Sequence, residues 1–462
     1  MADLSIRNFT IHPIELVTVQ RFESEKVQSG DLIKNVTGTI SSFLNATDFS
    51  RHEVRAQGDA RSKDNVSVRI DPFKTKKTDI RTADGSREVI RLTFKSEDHK
   101  YETDIPSPSK KSAVMRKLDG GPHELTVVYV QTGAFLTIFS SARLHAWMKE
   151  LNGDWPLSVL SIPGTHDSPT CHTALPSVRC QAVSIFDQLN NGVRFLDIRV
   201  SVEPNEDGLA LVHGAFPISL TGTKWFGDMC EDVYEFLEKN PSETVIMSLK
   251  REGTGKGNDN DLGKTLKRAY TDKKRERWYT DPRIPKLSAV RGKIVLLRRF
   301  LLDESLRGCW DGRGWALDAG SWPDNCEDGK CGDLARVQDF YEITETENIQ
   351  KKIDFSRGQL ERAAEQNYNL GTDHHTPPFF VNFLSASHFF NANCWPERIA
   401  AKVNPAIIEY LCLRHGEEGK GPRKLKVGCA GTGIVVTDWV GANDDWDLIR
   451  CIVGFNARLQ RK

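Results

Sequence analysis

Two histidines and an arginine are the residues of this sequence with the clearest capacity for chemistry on a phosphodiester. His166 and His213 stand on either side of Arg199 along the chain. Two imidazoles can serve as general base and general acid, because their pKa lies near working pH. A guanidinium can grip phosphate oxygens through its planar fork and stabilise transition-state charge. One such histidine alone is more often a core residue bonded to backbone, so only the set carries the prediction.

These residues follow short apolar runs that are predicted to be strands. The predicted strands are residues 157–162, 194–199, 210–212, 244–249, 293–297, 379–383 and 433–436. Continuous hydrophobicity of this kind is typical of strands buried on both faces of a parallel sheet. Titratable residues come at or just after the ends of these runs, namely His166, Arg199, His213, Lys250, Arg299 and Asp438. A barrel enzyme places its active site at the carboxyl ends of its strands, so the pattern predicts one shared site.

Strands alternate with helical segments over most of the chain. One helix is clear, since Met229, Val233, Phe236 and Leu237 fall on one face and Asn240-Pro241 ends it before the next strand. This alternation predicts an α/β fold, a distorted (β/α)8 TIM-type barrel over residues 146–462. A doubly wound open sheet stays open as an alternative, although no Gly-rich dinucleotide or P-loop fingerprint supports it.

Residues 1–145 have a different character. Short apolar runs at 16–19, 67–70, 89–94 and 125–129 are separated by turn-rich pieces, without a convincing helical period. We expect a smaller, mainly-β, sandwich-like accessory domain here, whose role the sequence does not reveal.

Charge and hydropathy limit the partners. Lys plus Arg number 63 and Asp plus Glu number 63, a balance that argues against a nucleic-acid binder. The most apolar stretch, residues 126–141, is broken by Gln131, Thr132 and Gly133 and is too short to cross a bilayer. The first four residues show no secretory pattern. We therefore expect a cytoplasmic protein that acts peripherally at membranes, with secretion by another route left open.

An ordered set of segments carries a resemblance to a known family. It begins with SIPGTHDS at 161–168 and GVRFLDIR at 192–199, and continues at 211–214, 240–250, 291–299, 337–341 and 437–439. Together these segments resemble the X region of bacterial-type phosphatidylinositol-specific phospholipase C. The resemblance covers essentially residues 150–450 and leaves the first domain outside it.

The resemblance implies a role for each matching residue. His166 matches the general base that deprotonates the inositol 2-hydroxyl, and Asp438 matches the carboxylate that orients it. His213 matches the general acid for the departing diacylglycerol oxygen, with Asp167 supporting it. Arg199 matches the arginine that takes the place of calcium in bacterial enzymes. The residues that match the family's inositol-binding positions are Lys250, Arg299, Asp339 and Tyr341.

The implied activity is cleavage of phosphatidylinositol to diacylglycerol and inositol 1,2-cyclic phosphate, without a metal or other cofactor. The expected partners are a phosphatidylinositol-containing membrane surface and its inositol headgroup, and glycosylphosphatidylinositol anchors stay open as a second substrate. Two alternatives remain. One is a metal-dependent glycerophosphodiesterase or sphingomyelinase-like enzyme, which would need acidic metal ligands near the first histidine. The other is a non-catalytic inositol-lipid-binding module, which has no need of two matched proton-transfer groups.

Overall fold

Strands make up most of the regular structure before residue 142, and strands alternate with helices beyond it. The computed structural model describes residues 2–28, 52–83, 87–106, 111–373, 375–419, 424, 427–429 and 431–460. The chain divides into two compact units, Met1–Ala142 and Arg143–Lys462, which are called unit 1 and unit 2 below.

Unit 1 contains two five-stranded sheets. Its strands are β1 (Asp3–Phe9), β2 (Ile14–Gln28), β3 (His52–Ile70), β4 (Thr75–Arg81), β5 (Glu88–Ser96), β6 (His99–Ile105), β7 (Ser112–Val114), β8 (Arg116–Lys117), β9 (Thr126–Val130) and β10 (Phe135–Phe139). The sheet orders are β4-β1-β10-β9-β7 and β3-β2-β5-β6-β8. Buried side chains from both sheets, among them Ile6, Leu92 and Leu136, pack into one apolar cluster, so the two sheets share a core.

Unit 2 is built from a second set of strands and the helices between them. The strands are β11 (Ile162–Thr165), β12 (Phe195–Val202), β13 (Leu209–His213), β14 (Phe216–Pro217), β15 (Val245–Arg251), β16 (Trp278–Tyr279), β17 (Ile294–Arg298), β18 (Leu317–Asp318), β19 (Gly329–Cys331), β20 (Ala335–Gln338), β21 (Phe379–Phe383) and β22 (Ile434–Thr437). The helices are α1 (Ile185–Asn190), α2 (Phe226–Lys239), α3 (Asp259–Leu266), α4 (Leu287–Val290), α5 (Glu304–Arg307), α6 (Cys309–Gly312), α7 (Asn348–Ala364), α8 (Pro396–Leu413), α9 (Asp447–Gly454) and α10 (Ala457–Gln460).

The sheet of unit 2 follows the order β16-β17-β15-β12-β11-β22-β21-β20-β19 and is curled. Each pair of neighbouring strands in this order, from β16 through β17, β15, β12, β11, β22 and β21 to β20, is parallel. In the part of the chain that the structure describes, no pairing joins the two edges, β16 and β19. The predicted α/β class is therefore confirmed, and all carboxyl ends of the parallel strands meet at one edge of the curled sheet.

Helix α2 has the features that its sequence predicts. Met229, Val233, Phe236 and Leu237 are buried, and their spacing places them on one face toward the sheet. The helix ends before Asn240, and Pro241 follows, where a helix cannot continue. Strand β15 starts four residues later, as expected for a strand-helix unit of a parallel sheet.

Two of the predicted strands differ from the structure. Residues 157–162 were predicted as one strand, but Leu157–Val159 forms a 3₁₀ turn and the strand begins at Ile162. All of this run is buried, and continuous apolar residues report burial rather than conformation. The run at 210–212 is a strand, but β13 lies antiparallel to β12, pairing Val200 with Leu211. Strand β12 extends past the parallel ladder and β13 returns along it, which brings His213 back toward the level of Arg199.

The residues described include no helix that is long and apolar enough to cross a bilayer.

Candidate active site

The side chains of the candidate site come from the ends of three adjacent strands. His166 directly follows β11, Asp438 directly follows β22, and Arg199 lies in β12. Strand β11 is between the other two, with Thr165 opposite Thr437. The His166 amide extends this ladder by donating to the Thr437 carbonyl at 3.0 Å. Parallel pairing in this register sets His166 beside Asp438.

Two imidazoles face each other across a buried carboxylate. The ring centroids of His166 and His213 lie 5.9 Å apart with the planes at 89°. Asp438 Oδ1 lies 3.0 Å from His166 Nδ1. Asp167 Oδ2 lies 3.5 Å from the Nε2 atom of each histidine. His213 Nδ1 donates to the Val178 carbonyl at 2.7 Å. Each ring is thus held through Nδ1, and its Nε2 points toward the space next to Asp167.

Asp167 is held in an unusual backbone conformation. Its φ is 39°, in the left-handed region that few residues other than glycine adopt. The turn is closed by Ser168, whose hydroxyl donates to the Thr165 carbonyl at 2.8 Å. The Asp167 side chain is fully buried, and within the described residues neither carboxylate oxygen has a hydrogen-bond partner. Backbone strain in a residue whose buried carboxylate makes no hydrogen bond within the described residues is typical of a functional site.

Arg199 is fixed between two carboxylates. Its Nε and Nη2 donate to Asp197 Oδ2 at 3.1 and 2.8 Å, since residues two apart on a strand share a face. Its Nη1 donates to Glu252 Oε1 at 2.5 Å. Glu252 also accepts from Lys250 Nζ at 2.8 Å and from the Gly214 amide at 2.9 Å. These bonds fix the orientation of the guanidinium. Because Glu252 also binds the Gly214 amide, they place Arg199 close to His213.

The four residues predicted to bind a sugar ring, Lys250, Arg299, Asp339 and Tyr341, have three different sets of partners. Arg299 lies over the Trp322 ring at 4.0 Å, with its Nη2 3.9 Å from Asp339 Oδ2. Asp339 in turn accepts from Trp322 Nε1 at 2.9 Å. Tyr341 donates its hydroxyl to Asp324 at 2.9 Å, and the charge of Asp339 acts on the same hydroxyl. The structure thus brings Arg299 and Asp339 together, places Lys250 beside Arg199 through Glu252, and gives Tyr341 a separate partner.

Comparison with known protein families gives one match that contains most of these residues. The family model described as phosphatidylinositol-specific phospholipase C, X domain, matches residues 154–300, which include His166, Arg199, His213 and Lys250. Residues 154–300 belong to that family. The family predicted from the sequence is confirmed, and the matched residues are called the X domain below.

Relatives of the X domain are bacterial and human proteins. A 1-phosphatidylinositol phosphodiesterase of Listeria monocytogenes is 36% identical over 172 residues, which are 35% of this chain and 50% of that protein. The alignment therefore spans half of that relative. The enzyme of the same name from Staphylococcus aureus strain Newman is 26% identical over 316 residues, covering 64% of this chain and 88% of that protein. A human PI-PLC X domain-containing protein 1 is 30% identical over 152 residues, covering 24% of this chain and 45% of that protein.

Solved structures share the fold. A pentafluoro-Phe-containing phosphatidylinositol-specific phospholipase C from Staphylococcus aureus superposes with a TM-score of 0.53 at 23% identity. The match covers 68% of this chain and 98% of that chain. At this identity the likeness shows a common fold, which agrees with the predicted barrel type.

Electrostatics set the two histidines of the X domain apart from ordinary ones. Burial alone would lower the pKa of His166, but the Asp438 carboxylate outweighs it and raises that pKa well above its usual value. Burial also opposes the charge on His213, yet the Asp167 carboxylate raises its pKa to about 10. Burial raises the pKa of Asp167, against the lowering effect of His213 and Arg199. The predicted acid, His213, therefore stays protonated at neutral pH, and the predicted base, His166, keeps its proton to a higher pH than an ordinary histidine does.

These pKa shifts predict a bell-shaped pH profile. With the predicted roles of base for His166 and acid for His213, activity should fall in acid with a midpoint above the ordinary histidine pKa, and fall in base near pH 10. In Asp438→Asn the acid midpoint should move to lower pH, and kcat should drop on the order of tenfold to hundredfold. The alkaline midpoint is the internal control and should not move. An acid midpoint that is the same in both proteins would contradict the role of Asp438.

Sequence reasoning missed three residues of the site. Asp197 and Glu252 hold Arg199. Asp197 lies two positions before Arg199 on a predicted strand, and Glu252 lies two positions after Lys250, beyond the end of the strand predicted at 244–249. Lys352 gave no signal, since it lies on helix α7 and its side chain is fully buried. Its Nζ donates to the Phe340 carbonyl at 2.7 Å and to Gln338 Oε1 at 3.2 Å. It therefore holds the Phe340 carbonyl and the Gln338 side chain on either side of Asp339, and burial lowers its own pKa to about 7.

Proposed function

We propose that this chain is a phosphatidylinositol-specific phospholipase C that releases diacylglycerol and inositol 1,2-cyclic phosphate. The observation that carries the proposal is the pair of imidazoles on either side of Asp167, each held through Nδ1 with Nε2 directed at the same space. Such a pair can take a proton at one side of a phosphorus centre and give one at the other. A module that only binds lipid has no use for this arrangement.

The reaction starts at His166. Its Nε2 takes the proton of the inositol 2-hydroxyl, while Asp438 stabilises the imidazolium through Nδ1. The freed oxygen forms a bond to phosphorus, and the bond from phosphorus to the glycerol oxygen breaks. His213 gives its Nε2 proton to that departing oxygen, so one proton is taken and one returned. The products are diacylglycerol and the five-membered cyclic phosphate.

Arg199 supplies positive charge to the phosphate during this step. Its guanidinium is nearly buried and is held on Asp197 and Glu252, so it does not have to reorganise as charge develops on the phosphoryl oxygens. Lys250, Arg299 and Asp339 bind the ring hydroxyls, and Tyr341 offers a stacking face.

Exposed aromatic side chains of unit 2 support peripheral action at a membrane surface. Phe216, in β14 close after His213, is 38% exposed and stacks on Phe389, which is 40% exposed. Phe390 is 88% exposed and packs against Phe389. Large apolar side chains seldom cluster in water without a partner surface. They are suited to enter the interface of a phosphatidylinositol-containing membrane.

Replacing Phe390 with serine should weaken binding to phosphatidylinositol vesicles by about tenfold, because one phenylalanine side chain no longer leaves water. Cleavage of a soluble monomeric inositol phosphodiester should stay at the wild-type rate. Leu118→Ser, an equally apolar change at a residue of unit 1 that is 50% exposed, is the matched control. Vesicle sedimentation measures the binding of both variants. If Phe390→Ser bound vesicles as well as wild type does, the proposed contact of Phe390 with the membrane would be wrong.

A metal-dependent phosphodiesterase remains the second candidate, and one cluster favours it. Ligand atoms of His166, Asp167 and Cys180 all lie within 4.8 Å of one another. Arg199 interacts with Asp167 electrostatically, and its positive charge opposes a cation there. Diacylglycerol release from phosphatidylinositol vesicles, with phosphatidylcholine vesicles as control, decides between the candidates. The first candidate predicts release from phosphatidylinositol only, in the presence of chelator.

We also propose a detailed architecture for the two units. The shared core of the two sheets in unit 1 supports a β-sandwich accessory domain, and the curled parallel sheet of unit 2 supports a distorted (β/α)8 barrel.

A further inference from the structure

Three metal-ligating side chains converge in unit 1, outside the catalytic site. His12 lies in the link from β1 to β2, Glu97 in the turn from β5 to β6, and His123 in the link from β8 to β9. Glu97 Oε1 lies 3.4 Å from His12 Nδ1, and Glu97 Oε2 lies 3.6 Å from His123 Nε2. The two imidazole centroids are 4.1 Å apart. One ligand atom from each residue lies within 4.8 Å of the other two.

The separations are too long for direct hydrogen bonds between the carboxylate and the rings. His123 Nε2 is buried and has no hydrogen-bond partner within the described residues, although it points at Glu97. Around a tetrahedral ion with ligands at about 2.0–2.1 Å, neighbouring ligand atoms are about 3.4 Å apart. Glu97 presents one carboxylate oxygen to each ring, and both distances, 3.4 and 3.6 Å, are close to that value. The gap between the three groups therefore has the dimensions of an ion site.

The position of His12 is fixed by a buried polar network. Asn8, which is fully buried, donates its side-chain amide to the His12 carbonyl at 2.7 Å and to the Ile70 carbonyl at 3.1 Å. The Thr10 amide donates to Asn8 Oδ1 at 3.0 Å. On the other side, the His123 amide donates to the Tyr101 hydroxyl at 3.1 Å. The backbones of two of the three ligand residues are thus held in place by contacts that do not involve an ion, which lowers the entropic cost of binding one.

We propose that His12, Glu97 and His123 form a binding site for a divalent transition-metal ion, with Zn²⁺ as its occupant. Two imidazole nitrogens and one carboxylate are a common zinc ligand set, and they leave a fourth position for water. The links that carry His12 and His123 each connect the two sheets of unit 1, while Glu97 belongs to a hairpin of the second sheet. An ion here ties both links to that hairpin, so its effect is to stabilise unit 1.

The test is zinc binding by the full chain, measured by equilibrium dialysis with metal analysis and by thermal melting with and without Zn²⁺. Wild type should bind zinc, and its melting temperature should rise with zinc concentration. Glu97→Gln keeps the shape of a half-exposed side chain and should bind at this site on the order of tenfold more weakly or worse. His99→Asn is the matched control, because His99 pairs with Asp119 at 3.2 Å and is not one of the three ligands.

Each outcome decides the proposal. Loss of one zinc equivalent and of the thermal shift in Glu97→Gln, with both kept in His99→Asn, supports it. Zinc binding equal in wild type and Glu97→Gln, or no zinc bound by wild type, overturns it. The cluster of His166, Asp167 and Cys180 is unchanged in both variants, so zinc bound there cancels in the comparison. The test measures zinc binding and melting temperature and does not measure cleavage of phosphatidylinositol. Its result is therefore independent of the proposed catalytic function.

Discussion

Replacing His213 with alanine should lower turnover of phosphatidylinositol by about 10²- to 10⁴-fold, because the departing glycerol oxygen then leaves without a proton. The loss should depend on the leaving group. An inositol phosphodiester with a phenol-type leaving group of low pKa needs little protonation, so most of the activity of His213→Ala should return on it. His166→Ala should lose activity of the same size on both substrates, since the attacking 2-hydroxyl is the same.

Rescue of His213→Ala, but not of His166→Ala, by the better leaving group would identify His213 as the acid and His166 as the base in one experiment. The fold should survive both changes, because the two side chains are partly exposed at 18% and 20%. Vesicle binding serves as the control and should stay near the wild-type value for both proteins. If His166→Ala were the variant rescued by the better leaving group, the direction of proton transfer proposed here would be reversed.

Replacing Arg199 with lysine should lower kcat by about 10²- to 10³-fold with little change in KM. Lysine keeps the charge, but it loses the fork that reaches Asp197 and Glu252 together, so its ammonium is not held toward the phosphoryl oxygens. Steady-state kinetics on a soluble substrate measures the effect without interference from membrane binding.

Two controls show whether the effect is catalytic. Arg268→Lys changes an arginine with a bidentate contact to an exposed carboxylate, Asp207, and should leave kcat unchanged. The melting temperature of Arg199→Lys should fall only modestly, since the buried Asp197 and the partly buried Glu252 keep a cation between them. A kcat within a few-fold of wild type would show that Arg199 only supports the fold.

The parts of the site that could be predicted are those that follow from strand order. His166 and Asp438 each follow a buried apolar run, and parallel strands place their carboxyl ends at one edge, so their proximity was predictable. Helix α2 was equally clear from its periodicity and from Asn240-Pro241. These features depend on local patterns of a few residues, which the sequence contains in full.

The remaining features depend on contacts between distant segments. Strand β13 looks like any apolar run, and nothing in its residues shows that it pairs antiparallel with β12 and returns His213 to the site. The spacing of Asp197 and Glu252 from Arg199 and Lys250 is visible in the sequence, but only the structure shows that both carboxylates bind Arg199. Lys352 sits on a helix, and only the packing of α7 shows that its ammonium supports the backbone around Asp339. Whether such a side chain is buried, and which residue it binds, depends on tertiary packing and cannot be deduced from the neighbouring residues in the sequence.

The central claim is that His166, His213 and Arg199 cleave phosphatidylinositol without a metal ion. Phosphorus NMR of phosphatidylinositol vesicles digested with and without chelator tests it most directly. The account predicts that the resonance of inositol 1,2-cyclic phosphate appears first and at the same rate in both samples. Loss of turnover with chelator, or direct appearance of inositol 1-phosphate without the cyclic product, would contradict it.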